Sequence, residues 1–446
     1  MAEQMKQNKA GEMAAKQIIP AGYKLSEAGI IPEDWEALPL GGICKVQGGF
    51  AFKSERFKKT GVPILRISNI QSGYLDVNEV VYYSVGEKIP KQFEVNDGDA
   101  LIAMSGATTG KVGIYNENGV AYLNQRVGKF VLHGNADIRY IQHVVGSDLY
   151  KIALNNMLEQ GAQPNISSSQ LERIVIRKPT IEIEQKIIAD VLSDTDKLIA
   201  CLAQLIAKKQ AIKTATMQQL LTGRTRLPQF ALRPDGTPKG YKSSELGQIP
   251  EDWGINSINK VGSIITGSTP PTAVGCYWDG DIPWITPTDI GDAKNIFESE
   301  RRITEKGLQE IRGLPANSVL VTCIASIGKN AILKNAGACN QQINAIVPTA
   351  LFDVDFLYYN IEFSKERLRQ CAGITATPII SKALFSDFLL PFPSNKEQTA
   401  IATIVSDMDS ELQALEQKLA KARDVKQGMM QQLLTGRIRL PLEVGV

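Results

Sequence analysis

The phrase Met-Gln-Gln-Leu-Leu-Thr-Gly-Arg stands twice in this chain, at residues 217–224 and 430–437, and both copies run on into x-Arg-Leu-Pro. Two further phrases recur. PAGYKLSEAGIIPEDW (20–35) returns as PKGYKSSELGQIPEDW (238–253), and IADVLSDTD (188–196) returns as IATIVSDMD (401–409). A duplication on this scale constrains the fold more than any local propensity, because each copy must build the same scaffold. At 446 residues the chain is long enough for two cores. The interiors diverge, with faint echoes: VPILRISNI (62–70) against IPWITPTDI (282–290), Gly110-Lys111 against Gly328-Lys329, and Asn124-Gln125 against Asn340-Gln341. Kept edges around changed middles point to one scaffold serving two targets; drift of an old duplication is the alternative.

Each half closes on about 40 residues of helical pattern, at 182–222 and 395–435. In the second, a 4,3 ladder runs Ile401, Val405, Met408, Leu412, Leu415, Leu419, Ala422, Lys426, Met429, Leu433. The first reads Ile188, Leu192, Thr195, Ile199, Leu202, Ile206, Lys209, Lys213, Thr216, Leu220. A period of 3.5 sustained this long marks a coiled coil. Gly223 and Gly436 supply left-handed caps, with Pro228 and Pro441 beyond them. Ser394-Asn-Lys-Glu397 has the form of a capping box. The lysines at Lys209, Lys213 and Lys426 should thin the seam and weaken contact there. Forty helical residues extend about 60 Å, so these helices read as antiparallel struts. The expected class is α+β: two globular mixed α/β domains joined by two long coiled-coil helices in a cyclic, pseudo-two-fold repeat. The divisions are 1–19 flexible tail, 20–180 first domain, 181–223 central helix and 224–253 linker with the repeated motif. Then come 254–394 second domain, 395–437 C-terminal helix and 438–446 tail.

Signatures of catalysis are missing. SGATTGKV (105–112) lacks the Gly and the Ser/Thr that a phosphate loop needs at Ser105 and Val112. There is no Asn-Pro-Pro-Tyr tetrad and no Gly-x-Gly nucleotide loop. His133 and His143 are the only histidines, too few for His-based metal or acid–base chemistry. Six scattered cysteines without a Cys-x-x-Cys pair suit reduced thiols in a cytoplasm. No apolar run approaches the roughly 18 residues of a membrane span.

Binding signals are stronger. Residues 45–66 carry six cations against one acid, with Phe50, Phe52 and Phe57 interleaved. Cations contact phosphates, while amides, hydroxyls and guanidinium groups read base edges. The candidates in the first half are Lys53, Lys58, Arg66, Ser68, Asn69, then Ser105, Thr108, Thr109, Lys111, then Asn124, Gln125, Arg126. The second half offers Thr286, Thr288, Asp289, Ser326, Lys329, Asn340, Gln341 and Gln342. The bland reading of such groups is turn formation.

Taken in order, GFAFKSERFKKTGVPILRISNI (49–70), GDALIAMSGATTGKVGI (98–114), GSTP (267–270), YWDGDIPWITPTDI (277–290) and NQQINAI (340–346) carry a resemblance, as do IPEDW and QQLLTGR, each written twice. Over nearly its whole length the chain resembles the specificity subunit of type I restriction–modification systems. The resemblance implies two target-recognition domains, each reading one half of a split double-stranded DNA sequence. It implies helices that set the unread spacer and dock two adenine-specific methyltransferase subunits, with restriction subunits in the full complex. On this pattern the chain is non-catalytic and binds no cofactor, S-adenosylmethionine, ATP and Mg²⁺ belonging to partner subunits of a cytoplasmic complex. It also implies that residues 20–35 pack near the C-terminal helix end. A two-lobed protein-interaction scaffold without DNA binding is the competing reading.

Overall fold

The computed structural model describes residues 19–158, 165–372 and 378–442; the tail expected at 1–19 lies outside them but for its last residue. The chain forms two compact units. One holds residues up to Leu202 together with those from Lys418 onward, and the other is Ala203–Gln417. Both long helices are continuous, at Glu182–Leu221 and Asn395–Leu433, so each contributes a segment to both units.

The two units are built to one plan. The first has a five-stranded sheet in the order Cys44–Gly48, Val127–Leu132, Ala100–Ala103, Val112–Ile114, Gly73–Tyr74, antiparallel except at its last pair. The second orders Gly262–Thr266, Ile343–Pro348, Ser318–Thr322, Asn330–Leu333, Asn295–Ile296 in the same way, with the same parallel final pair. The central strands of the second sheet are buried on both faces, which is why SVLVT and NAIL read as near-continuous apolar runs. A smaller sheet accompanies each: Val81–Tyr83, Val62–Leu65, Ala121–Leu123, Glu94–Val95 in one unit, and Arg302–Ile303, Trp278–Ile285, Ala338–Cys339 in the other.

A helix then returns to the strut. In the first unit it is Ile138–Gly146, capped by Asp137, which accepts from the Arg139 and Tyr140 N–H groups at 2.8 and 3.2 Å. In the second it is Val354–Gln370, capped by Asp353 accepting from Phe356 N–H at 2.9 Å. Such caps satisfy donors that a helix start leaves orphaned. The cores run from sheet to helix to strut. Tyr140, Ile188, Leu192 and Leu433 share one, while Phe356, Ile401, Val405 and Leu220 share the other.

All twenty ladder positions are buried or half-buried, whereas apolar residues off the ladder, Leu198, Leu205, Ile212 and Val425, are exposed. The seam lysines are each paired with an acid. Lys209 pairs with Glu411 at 2.7 Å, Lys213 with Asp409, and Lys426 with Asp196 at 2.5 Å. Each reaches an acid of the antiparallel helix inside its own unit, so the seam continues there as ion pairs. The expected capping box resolves differently, because the Glu397 carboxylate is taken by Arg226.

Candidate nucleic-acid interface

Three loops of the first unit converge on one rim. Asn124 N–H donates to Leu65 O at 3.2 Å, Met104 N–H to Arg126 O at 3.0 Å, and Thr108 Oγ1 to Ile67 O at 3.0 Å. Lys111 Nζ reaches Gln71 Oε1 at 3.1 Å. The candidates at 66–69, 105–111 and 124–126 therefore share a surface, although sequence separates them by up to 60 residues. Ser68, Gln125 and Arg126 are exposed; Arg66, Thr108, Lys111 and Asn124 are half-buried. Lys53 and Lys58 are exposed in the preceding segment, where the Lys58 backbone bridges to Tyr82.

Some candidates are turned inward. Asn69 is 3% exposed; its Oδ1 accepts from Arg66 N–H at 2.9 Å, and its Nδ2 donates to Asp76 O and Glu79 O. It holds a turn and has no group left for a base. Among the described residues the Ser105 Oγ is buried without a partner, and Thr109 Oγ1 donates to Gly106 O at 2.6 Å. The interleaved aromatics pack against other rings and apolar side chains. Phe50 packs on Phe52 and Phe93, and Phe52 on Tyr83 and Tyr122, with ring centroids 5.0–5.9 Å apart. Phe52, Phe57, Tyr83 and Tyr122 share a small core with Ile64.

The second unit repeats this arrangement. Asn340 N–H donates to Ile285 O and Cys323 N–H to Gln342 O, both at 2.9 Å, which ties the loops at 286–290, 323–329 and 340–342 together. Asp289 accepts from Thr286 N–H at 2.7 Å, from Thr286 Oγ1 at 2.6 Å and from Glu300 N–H at 2.9 Å. A carboxylate so filled is a turn former, the counterpart of Asn69. The echo between 62–70 and 282–290 thus marks shared scaffold. Thr286 Oγ1 also meets Thr288 Oγ1 at 2.7 Å. Asn340 and Gln342 hydrogen-bond each other, and Gln341 Oε1 accepts from Thr269 Oγ1 at 2.6 Å. Ser326 O takes the Thr322 hydroxyl. Lys329 is exposed and lines a polar cavity of about 250 Å³ with Glu362, Lys365 and Arg369.

What sequence reasoning passed over is the machinery mounting each rim on its strut. Arg226 forks onto Asp252 (2.8 and 3.1 Å) and Glu397 (2.7 and 2.8 Å), with its guanidinium 5.8 Å from the centre of Trp253. Arg439 forks likewise onto Asp34 (2.9 and 2.8 Å) and Glu184 (2.5 and 2.8 Å), 5.9 Å from Trp35. Burial works against the Asp252 carboxylate, but Arg226 and Lys239 outweigh it and hold its pKa down at about 2. Gly223 and Gly436 have φ of +68° and +70°, and a Cβ on either would strike Pro250 or Pro32 within 2.5 Å. Tyr23 OH donates to Gly436 O at 2.9 Å, and Tyr241 OH to Gly223 O at 3.2 Å. The N-terminal motif therefore packs on the C-terminal helix end, as expected from the cyclic pattern. The signal was available: IPEDW carries an acid and TGRxRLP a cation in both copies.

A second mount lies further along each strut. His143 Nε2 is 3.2 Å from Ser193 Oγ and its Nδ1 4.0 Å from Asp196, the acid that Lys426 also holds. Burial, then Lys426, push the His143 pKa down to about 4 against the pull of Asp196. In the other unit Tyr359 OH donates to Asp409 at 2.6 Å and lies 3.1 Å from Ser406 Oγ, with Lys213 on the same acid.

A family model described as "Type I restriction modification DNA specificity domain" matches residues 32–210 and 250–422. The chain belongs to this family. Among specificity-subunit relatives, the putative MjaX specificity subunit of Methanocaldococcus jannaschii is 26% identical, covering 94% of this chain and 97% of its own. The EcoBI specificity subunit of Escherichia coli is 25% identical over 92% and 87%. The M. jannaschii MjaIX specificity subunit is 37% identical, but over only 38% of this chain and 40% of that one. The crystal structure of the type I restriction–modification S subunit from M. genitalium matches with a TM-score of 0.58 at 14% identity, covering 92% and 97%, which speaks for a shared specificity-subunit fold. Among the described residues, no helix is long and apolar enough to cross a membrane.

Proposed function

We propose that this specificity-family chain reads a bipartite double-stranded DNA target, one half with each rim. In this reading the paired helices set the unread spacer and dock two methyltransferase subunits. Restriction subunits complete the assembly in the cytoplasm. The observation that carries the reading is the pairing of a twice-written scaffold with non-identical rims. The clamps at Arg226 and Arg439, the caps at Gly223 and Gly436 and the turn holders Asn69 and Asp289 are equivalent. Yet Arg66 and Arg126 stand where the other rim has Thr286 and Gln342. A chain selected only to join proteins gains nothing from keeping the mount and changing the polar rim. In this reading catalysis in the assembly, with S-adenosylmethionine, ATP and Mg²⁺, falls to partner subunits.

Methylome sequencing of a host expressing the chain with its methyltransferase tests this. A two-part methylated sequence is expected. Exchanging residues 254–388 for those of another family member should alter one half-site only. Removing one heptad from both long helices should shorten the spacer and leave both halves intact, since half-site spacing follows the separation of the reading elements. No methylated two-part sequence, or a purified chain inert towards DNA with and without its partners, would overturn the reading.

A further inference from the structure

The second rim holds a cation that sequence reasoning did not single out. Arg301 is exposed, and its guanidinium carbon sits 3.8 Å from the centre of the Trp278 ring and 5.3 Å from that of Trp284. The two indoles form a fixed platform. They meet edge to face at 5.1 Å and 88°, and their N–H groups donate to Pro271 O (3.3 Å) and Ser268 O (2.9 Å). Among the described residues Arg301 forms no ion pair and its side chain no hydrogen bond, whereas the adjacent Arg302 is held by Glu298 at 3.0 Å. A guanidinium stacked on an indole face keeps its in-plane donors free and loses little freedom when it binds.

Its position joins it to the rim. Glu300 N–H donates to Asp289, which organises the Thr286–Thr288 turn. The Ser268 segment under Trp284 continues into Thr269, which donates to Gln341. The same unit is the one whose candidate residues are poor in cations: Lys329 is the only Lys or Arg among them.

We propose that Arg301 is a specificity-determining residue of the second rim, presenting its paired donors to a guanine edge in the major groove. This rests on the bipartite DNA reading above. A pre-oriented, unpaired guanidinium presents a rigid planar fork that matches guanine O6 and N7 in a bidentate fashion, whereas an ammonium is a flexible point charge. The Arg301→Lys variant keeps the charge and leaves the tryptophans in place, so folding is preserved while the planar fork is lost.

The test is methylome sequencing of the full complex carrying Arg301→Lys, with Arg302→Lys as a control and the 254–388 exchange assigning the half-sites. The expected result is relaxed discrimination at one guanine-containing pair of the second half-site, by about 5- to 150-fold, with the first half-site and spacer unchanged. Arg302→Lys should leave the sequence intact. An unaltered sequence in the Arg301→Lys complex overturns the assignment, as does an equal fall in methylation at all sites, which is the mark of a phosphate anchor. A wild-type complex that methylates no bipartite sequence would instead defeat the broader reading.

Discussion

In one unit His143 and in the other Tyr359 fasten the helix behind the sheet to the long strut. The strut offers each the same partners, Ser193 and Asp196 or Ser406 and Asp409, because IADVLSDTD and IATIVSDMD are copies. The antiparallel helix adds the same cation, Lys426 or Lys213. Only the incoming residue differs, and with it the response to protons. Burial pushes the Tyr359 phenol pKa up, so that mount keeps one form at any ordinary pH. His143 is buried neutral with a pKa lowered to about 4.

The comparison can be broken most forcefully at the clamps. Removing Arg226, whose side chain is 7% exposed, strands Glu397 at 2%; Arg226→Ala should cost about 3–5 kcal/mol. Arg439 is 36% exposed, so Arg439→Ala should cost less even though it strands Glu184 at 2%. Denaturant unfolding of the two variants measures the difference, and equal losses would refute the claim that burial governs it.

The mounts come next. The folded His143 pKa lies below the unfolded value of 6.5, so the unfolded chain binds more protons between the two. Its contribution is complete above pH 6.5 and is lost as pH falls towards 4. Acid and base on every neighbour set this balance: Asp196 on one strut, Lys426 on the other and Arg139 on its own helix. From pH 7 to 5 the wild type should lose about 2 kcal/mol more than His143→Gln. Tyr359→Phe should show no such difference in slope. Parallel pH profiles for wild type and His143→Gln would sink the idea.

The smallest effect sharpens the seam. The Lys209–Glu411 pair is 35% and 49% exposed, so Lys209→Met should change stability by about 0–1 kcal/mol. Salt should erase what difference there is. A larger, salt-independent loss in melting would mean that the lysine stem packs the seam.

The degree to which residues could be read in advance follows their physics. The ladder was legible because a 3.5 period places every third and fourth residue on one line regardless of the remaining fold. The rim loops were legible as groups, because paired strands bring their ends together. Individual reading side chains were not. Asn69 and Asp289 have the chemistry of base readers, but their nearest unsatisfied partners are backbone N–H groups of their own turns. The interleaved Phe50 and Phe52 rings pack on each other and on Phe93, Tyr83 and Tyr122, which removes apolar surface from water. Arg301 went unseen since its platform, Trp278 and Trp284, lies 17 to 23 residues upstream in sequence.

By itself the sequence determined that one scaffold is written twice, that each copy ends in a seamed helix with a glycine cap, and that opposite charges recur at fixed places in both. Those features depend on periodicity and on neighbours close along the chain. Only the tertiary structure decided which charges meet, which polar groups are consumed within turns, and which stay free to face a ligand. A hydrogen bond is settled by the few ångströms between groups, and in this chain residues as far apart as Asp34 and Arg439 supply them.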